Sequence, residues 1–406
     1  MERSGQAAAT FLTQLGAEIT TTDLKPHAAP NFRPQTDALF AEVWDLIVLS
    51  PGVPADLAPL NEARARGVRV IGEVELAAPY LKGPIIGITG SNGKTTTTAL
   101  TGHILKEAGV AVQVGGNIGT PVIAMAENSR PGQWNVLELS SFQLETIETF
   151  RAQIAICLNV TQNHLDRHHT FENYASAKAN LFRKQHAGDH AILNLEDEVC
   201  RSFALLTPAT VEWFSGADIE VLMSKADVPI PGRHNADNVM AAAAAARLAG
   251  IDNNRIATAV KTFKAVEHRL EFVTEIDGVR FYNDSKATSV DATIKALDSF
   301  EGNLWIILGG KDKGSDYAVL RDRLARKAHA ALLIGSAAEK ITRHLEGATP
   351  LIQAETLDRA VKDAWAKARP GDTILLAPAC ASFDQFQSYE HRGRVFKELV
   401  SSLEKQ

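Results

Sequence analysis

The chain has little cysteine, and what it has is not arranged as a framework. Cys157, Cys200 and Cys380 are the three cysteines in 406 residues, scattered and without metal-ligand spacing. This excludes a disulfide scaffold and fits free thiols in a reducing cytosol. Long apolar runs are also missing. The longest, near 241–246, ends at Arg247, too short to span a bilayer. The N-terminus has no apolar segment of the kind a secretory signal needs, so the expected location is cytoplasmic. There is no basic excess either. The net charge is −6, which argues against a nucleic-acid partner or an anionic membrane surface. No internal repeat or low-complexity tract is present beyond the alanine run. What remains is 45% hydrophobic and 22% charged. That is ordinary globular composition, with length for two or three domains.

The most informative stretch is 85–98, Ile-Ile-Gly-Ile-Thr-Gly-Ser-Asn-Gly-Lys-Thr-Thr-Thr-Thr. Ile85, Ile86 and Ile88 suit a buried parallel strand. A glycine loop follows at Gly90 and Gly93, and Lys94 and Thr95 open a helix. Such a loop aims backbone N–H groups at one anion. The helix N-terminus adds a positive dipole end, Lys94 a cation and the Thr95 hydroxyl a magnesium ligand. The spacing is shorter than the standard phosphate loop, because Ile88 stands where the leading glycine belongs. The stretch predicts a nucleoside triphosphate with magnesium. The plain alternative is a strand–turn–helix joint.

Three α/β units follow from the alternation of patterns. Residues 1–82 read as a helix at 7–15, strands at 18–23, 46–49 and 68–71, and a helix at 60–66. This resembles a dinucleotide-type unit with Gly5 in its turn and Asp23 as its ribose acid, but with the first strand missing. That strand should lie centrally, so its loss exposes both neighbours as edges. The expectation is either a start upstream of Met1 or a damaged domain. Residues 83–264 carry apolar strands at 85–89, 136–139, 154–160 and 191–195 and a strong helix at 235–249, a doubly wound, mainly parallel pattern. Residues 265–406 start again, with strands at 280–282, 305–308, 331–334 and 373–376.

Polar clusters sit just past several of these strands, where open α/β sheets bind ligands. Glu138 ends a strand and suits a magnesium ligand, or else belongs to a helix-cap cluster with Ser140 and Ser141. His164 and Asp166 follow another strand, but imidazole is an unusual magnesium ligand and most lone histidines are packing or surface residues. Lys178 shares a helix face with Tyr174, near Phe171 and Phe182. It either snorkels or has a depressed pKa and reacts covalently. Asn235 and Asn238 lie one turn apart and can face a purine or cap the helix. Loops at 283–288, 309–314 and 379–386 offer Lys286, Thr288, Lys313 and Ser382. Cations and hydroxyls at one mouth suit an acidic small molecule and a transferring phosphate, although 311–313 also reads as a solvated basic loop.

In this order, the motifs at 89–96, 138–144, 163–168, 283–288 and 378–386 resemble the Mur ligases, from Ser4 to the C-terminus. The phosphate loop is common to that family and the folylpolyglutamate synthases. The loop Asn-Asp-Ser-Lys-Ala-Thr at 283–288 points to the D-glutamate-adding branch. The resemblance implies three domains: a Rossmann-like UDP-sugar unit at 1–82 with its first strand missing, a central P-loop ATPase-type doubly wound sheet at 83–264, and a Rossmann-like amino-acid unit at 265–406. It implies an ATP-dependent amide ligase joining D-glutamate to UDP-N-acetylmuramoyl-L-alanine through an acyl phosphate, with two Mg²⁺ ions. ATP would lie on Gly90, Ser91, Asn92, Gly93, Lys94, Thr95, Thr96, Asn235, Arg269 and Asp284. Thr95, Glu138, His164 and a carbamylated Lys178 would hold metal, with Lys94, Lys178 and His164 catalytic. Ser4, Asp23, Gly52 and Asn117 would take the UDP-sugar. Lys286, Thr288, Lys313, Ser382, Phe383 and Tyr389 would surround D-glutamate. A cytoplasmic monomer without nucleic-acid or membrane partners is implied. The missing strand departs from the family, and so does Ser289, where Asn is commoner. The rival readings are a sister ligase adding another amino acid and an inactive truncated homologue.

Overall fold

The apolar runs that mark buried strands in the sequence do form two parallel-sheet cores. The structure, a computed structural model, describes residues 3–25, 29, 31–230, 232–264 and 267–403, leaving out the side chains of Asp166 and Arg233. These residues fold as two compact units. One takes the chain to Asp227 and adds Ala236–Phe263; the other is Val228–Asn235 with the chain from Lys264 onward.

The first unit holds a six-stranded sheet in the order β10-β9-β8-β5-β7-β6. Its strands are β5 (Ile85–Thr89), β6 (Val112–Gly116), β7 (Trp134–Glu138), β8 (Ile154–Cys157), β9 (His190–Asn194) and β10 (Thr210–Phe214). All pairings are parallel. β5 lies inside and is buried along its whole length. Leu137, Leu139, Ala155, Cys157, Leu181 and Phe182 pack one face of this sheet, continuous with Ala8 and Phe11 of the helix Arg3–Gln14. The three thiols are free and buried, and the Cys157 and Cys200 sulfurs stand 3.3 Å apart.

The N-terminal strands do not form one sheet. β1 (Thr21–Asp23) pairs with β2 (Phe32–Pro34), and β3 (Leu46–Leu49) pairs with β4 (Arg69–Gly72), as two separate parallel pairs. Each pair has unpaired edges among the described residues. A small core of Phe40, Leu49, Leu60, Ala63 and Val70 serves the second pair. One detail differs from the sequence reading: Ser4 and Gly5 lie inside the first helix, not in a turn. A buried acid in the helix after β4 fastens that end of the second pair to the segment leading into β8. The Glu75 carboxylate accepts the N–H groups of Glu148, Thr149 and Phe150 and the Thr149 hydroxyl. Burial pushes its pKa up, but these donors outweigh burial and hold it below the usual carboxylate value.

The second unit has a sheet in the order β11-β12-β16-β13-β14-β15. The strands are β11 (Glu271–Ile276), β12 (Val279–Asn283), β13 (Leu304–Gly309), β14 (Ala328–Ile334), β15 (Leu351–Glu355) and β16 (Thr373–Leu376). Only β11 runs antiparallel to its neighbour. It joins β12 through Asp277 and Gly278, both at positive φ (48° and 77°), as a two-residue hairpin turn requires. Apolar side chains cover both faces.

Unpaired edges open more easily than strands held on both sides. Hydrogen–deuterium exchange should therefore show β1 and β3 amides exchanging on the order of a hundredfold faster than those of β5 and β8. Equal protection would mean that the two short pairs are stabilised as firmly as the central sheet.

Candidate active site

The phosphate-type loop leaves β5 at Thr89 and enters the helix Lys94–Glu107. Gly93 has φ 85°, and a Cβ there would meet Asn238 Oδ1 at 2.2 Å, so only glycine fits. The residues after β8 brace the loop. Ser91 N–H donates to the Asn159 carbonyl (2.8 Å), and Asn92 N–H to Asn159 Oδ1 (2.9 Å). Ser91 Oγ donates to the Thr161 carbonyl (2.9 Å) and shares a hydrogen bond with the Tyr174 hydroxyl (3.0 Å). The Ser91 and Asn92 amides thus hold the loop in shape. The first turn of the helix supplies the amides that intrahelical bonding leaves over. Thr95 and Thr96 are buried in that turn.

Two lysines meet at this loop. Lys94 Nζ donates to the carbonyls of Gly90 (2.8 Å) and Ser91 (3.0 Å), and Lys178 Nζ donates to the same Gly90 oxygen (2.8 Å). Lys178 is 1% exposed and lies 4.6 Å from the centre of the Tyr174 ring. Burial and then the Lys94 charge hold its pKa well below the ordinary lysine value. The snorkelling alternative is therefore set aside: the amine is enclosed, not reaching for water.

Glu138 ends β7 and is 2% exposed. Asn117 Nδ2 donates to its Oε1 (2.8 Å), and Asn117 N–H to its backbone carbonyl (2.9 Å). Its other oxygen, Oε2, has no hydrogen-bond partner among the described residues. Ser140 makes the capping box with Gln143, so helix capping and an available carboxylate coexist here. His164 has φ 54° and is exposed, with its ring against Phe142 (5.0 Å). The side chain of Asp166 lies outside the described residues. Asn238 accepts a hydrogen bond from Thr97 (3.2 Å) and sits against the loop. Ser4 is half-buried in its helix, Asp23 ends β1 and accepts the Lys25 N–H (3.0 Å), and Gly52 is exposed after β3. Of the four residues expected at the UDP-sugar, Asn117 is hydrogen-bonded to Glu138. A groove of about 520 Å³ lined by Arg64, Glu145, Arg167 and Asn180 includes none of these residues.

In the second unit, two candidate loops are laced together. Leu270 N–H donates to Asp284 Oδ1 (3.2 Å), and Lys286 N–H to the His268 carbonyl (3.0 Å). This brings Arg269 beside Asp284. Burial lifts the Asp284 carboxyl to about 6, against the pull of Arg269. Asn235 is buried. Ser382 is buried, whereas Phe383 and Lys313 are exposed. Thr288 is half-buried, and Lys286 Nζ lies 5.9 Å from the Tyr389 ring. Asp312, beside Lys313, accepts from Tyr317 Oη (2.7 Å) and Lys340 Nζ (2.8 Å). Ser289 turns out to be a helix N-cap for Ala292, a role serine and asparagine fill alike.

The family description "Mur ligase middle domain" matches residues 88–221, and "Mur ligase, glutamate ligase domain" matches 268–380. A UDP-N-acetylmuramoylalanine–D-glutamate ligase of Solibacter usitatus is 63% identical, over all of this chain and 97% of its own length. One from Acidobacterium capsulatum is 51% identical, over 98% and 94%. The chain belongs to the UDP-N-acetylmuramoylalanine–D-glutamate ligase family. Solved Mur ligases share its fold. A UDP-N-acetylmuramate–alanine ligase of Thermotoga maritima superposes with TM-score 0.60 at 19% identity, covering 97% of this chain and 91% of that one. The MurF ligase of the same organism, solved with ADP, gives 0.61 at 17%, covering 85% and 92%.

Within this ligase, sequence reasoning missed Asn159, the brace of the phosphate loop. It opens the polar run after β8, and a polar residue at a strand exit was the available signal.

Gly93→Ala would force a Cβ into Asn238 at positive φ. ADP or ATP affinity should fall by more than about tenfold in calorimetric titration. An unchanged affinity would show that the loop can relax around the methyl group.

Proposed function

We propose that the first unit activates a carboxylate with ATP and that loops of the second hold the amino acid that captures it. The chain is an ATP-dependent ligase of peptidoglycan precursor synthesis that adds D-glutamate to UDP-N-acetylmuramoyl-L-alanine. The residue roles below are our reading. The observation that carries it is the convergence of Lys94 and Lys178 on the Gly90 carbonyl.

A carboxylate repels an amine and lacks a leaving group. Its oxygen therefore first attacks the γ-phosphorus of ATP, giving an acyl phosphate and ADP. The D-glutamate amine then attacks the acyl carbon, inorganic phosphate leaves and the amide forms. Lys94 and the first-turn amides of its helix hold the phosphates. Arg269, Asp284 and Asn235 take the nucleoside. Lys286, Thr288, Lys313, Ser382, Phe383 and Tyr389 take D-glutamate, where cations and hydroxyls suit its carboxylates. Ser4, Asp23, Gly52 and Asn117 take the UDP-sugar. These roles divide the chain at about 82 and 264 into UDP-sugar, ATP and amino-acid parts.

Magnesium fits the residues present. Among the described residues no three His, Cys, Asp or Glu side chains form a ready cage. Mg²⁺ uses few protein ligands beside phosphates and waters. The unpartnered Glu138 Oε2 is an oxygen of the right kind, and Thr95 and His164 complete the candidate set. Bound Mg²⁺, two ions in this reading, would neutralise phosphate charge during transfer. Lys178 suits carbamylation. A lowered pKa makes the neutral amine easier to reach; its lone pair attacks the CO₂ carbon, an N–C bond forms as one C=O π bond opens, the nitrogen loses a proton, and a carbamate carboxylate stands where the amine was. That adds a hard oxygen ligand. No described helix is long and apolar enough to cross a membrane. The proposal is of a cytoplasmic monomer acting on small molecules.

The test is phosphate release from ATP with UDP-N-acetylmuramoyl-L-alanine, with and without D-glutamate, beside a panel of other amino acids. Release should require D-glutamate. Equal release with another amino acid would favour a sister specificity, and no release would favour an inactive homologue. Lys178→Ala should lower turnover by at least about a hundredfold, with no rescue by bicarbonate. ¹³C-labelled bicarbonate should give a carbamate resonance in the unsubstituted chain and none in the variant. Near-normal turnover would remove Lys178 from the mechanism.

A further inference from the structure

We infer that Arg392 is the positioning residue that sets the spacing of the D-glutamate loops. The inference rests on the assignment of Lys286 and Ser382 to D-glutamate.

Arg392 lies in the first turns of the helix Tyr389–Leu403 and is fully buried. Its Nε donates to Ser285 Oγ (2.9 Å), and Nη2 donates to the carbonyls of Ser285 (2.8 Å) and Cys380 (3.3 Å). Nη1 donates to the carbonyls of Cys380 (3.3 Å) and Ala381 (3.5 Å). Every one of these acceptors is a hydroxyl or a carbonyl. Burial lowers the guanidinium pKa to about 10, with Cys380 and Asp384 opposing from a distance. It stays charged at neutral pH without a hydrogen-bonded carboxylate. Burying a cation this way is costly unless its donors are well used. Here they are spent on tying loops together.

The acceptors belong to two loops, and a third is attached to them. Ser285 precedes Lys286, and Ala381 precedes Ser382. Ala381 also exchanges backbone hydrogen bonds with Lys311 (2.8 and 3.2 Å), at the root of the loop that carries Lys313. Ser285 Oγ donates in turn to the Tyr389 carbonyl (2.8 Å). The next helix residue, Gly393, leaves room for the His268 ring, since a Cβ there would meet Nδ1 at 2.2 Å. A rigid five-donor fork thus bridges Ser285 and Ala381, each next to a candidate D-glutamate contact, and Cys380 between them and the sheet, with no hydrogen bond among the described residues to those contacts themselves. Lysine, a single point of charge, cannot reproduce the fork.

The experiment is steady-state phosphate release by full-length Arg392→Lys and Ser285→Ala, with each of the three substrates varied in turn. For Arg392→Lys the D-glutamate KM should rise about tenfold, with kcat and the ATP and UDP-N-acetylmuramoyl-L-alanine KM values within about twofold. Ser285→Ala, which removes one acceptor and folds more readily, should move the same constant about threefold in the same direction. If Arg392→Lys does not fold, Ser285→Ala decides. An unmoved D-glutamate KM, or three KM values rising together, overturns the inference. If the unsubstituted chain releases phosphate without needing D-glutamate, the substrate assignment fails and takes this inference with it. The parent measurement tells that case from the others.

Discussion

Two amines share one buried carbonyl oxygen, that of Gly90, and each raises the cost of charge on the other. Lys94 is only partly buried and opens the helix at the phosphate loop. Lys178 is enclosed by the sheet and Tyr174 and feels the charge of Lys94. Desolvation and the Lys94 charge therefore lower the Lys178 pKa, while Lys94 stands at the helix start where a phosphate would lie. The bracing by Asn159, Thr161 and Tyr174 matters for the same reason. It fixes the carbonyl that both amines share.

The N-terminal part shows how little sheet a small α/β piece needs when a larger core adjoins it. Neither two-stranded pair would be stable alone. Ala8, Phe11, Ile71 and Val74 join the large cluster of the central sheet, and Glu75 draws three backbone N–H groups of the segment 148–150 onto one carboxylate. The β3–β4 pair is held through these attachments as well as through its own ladder.

What the sequence displayed was the interior of each sheet. β3, β5 and β16 have the bounds that their apolar runs predict, and β7, β8, β9, β12, β13 and β14 were found with shifted ends. The strands that went unseen in the two large sheets are their edges: β6, β10, β11 and β15. An edge is covered on fewer sides, so polar residues such as Gln113, Glu212, Thr274 and Gln353 break its apolar run. The Asp277-Gly278 turn could have revealed β11. At the site, the loop residues were legible because their order is a motif. The braces were not, because Asn159 and Arg392 act through burial and distance, which a linear pattern does not carry.

The cap at Ser289 bears on how a signature loop should be read. Four side chains, Ser, Thr, Asp and Asn, satisfy a helix start almost equally well. A letter that follows Lys286, Ala287 and Thr288 can therefore drift between relatives without any change in the amino acid accepted. Adjacent positions in one conspicuous string can answer to separate selective demands, one chemical and one merely architectural.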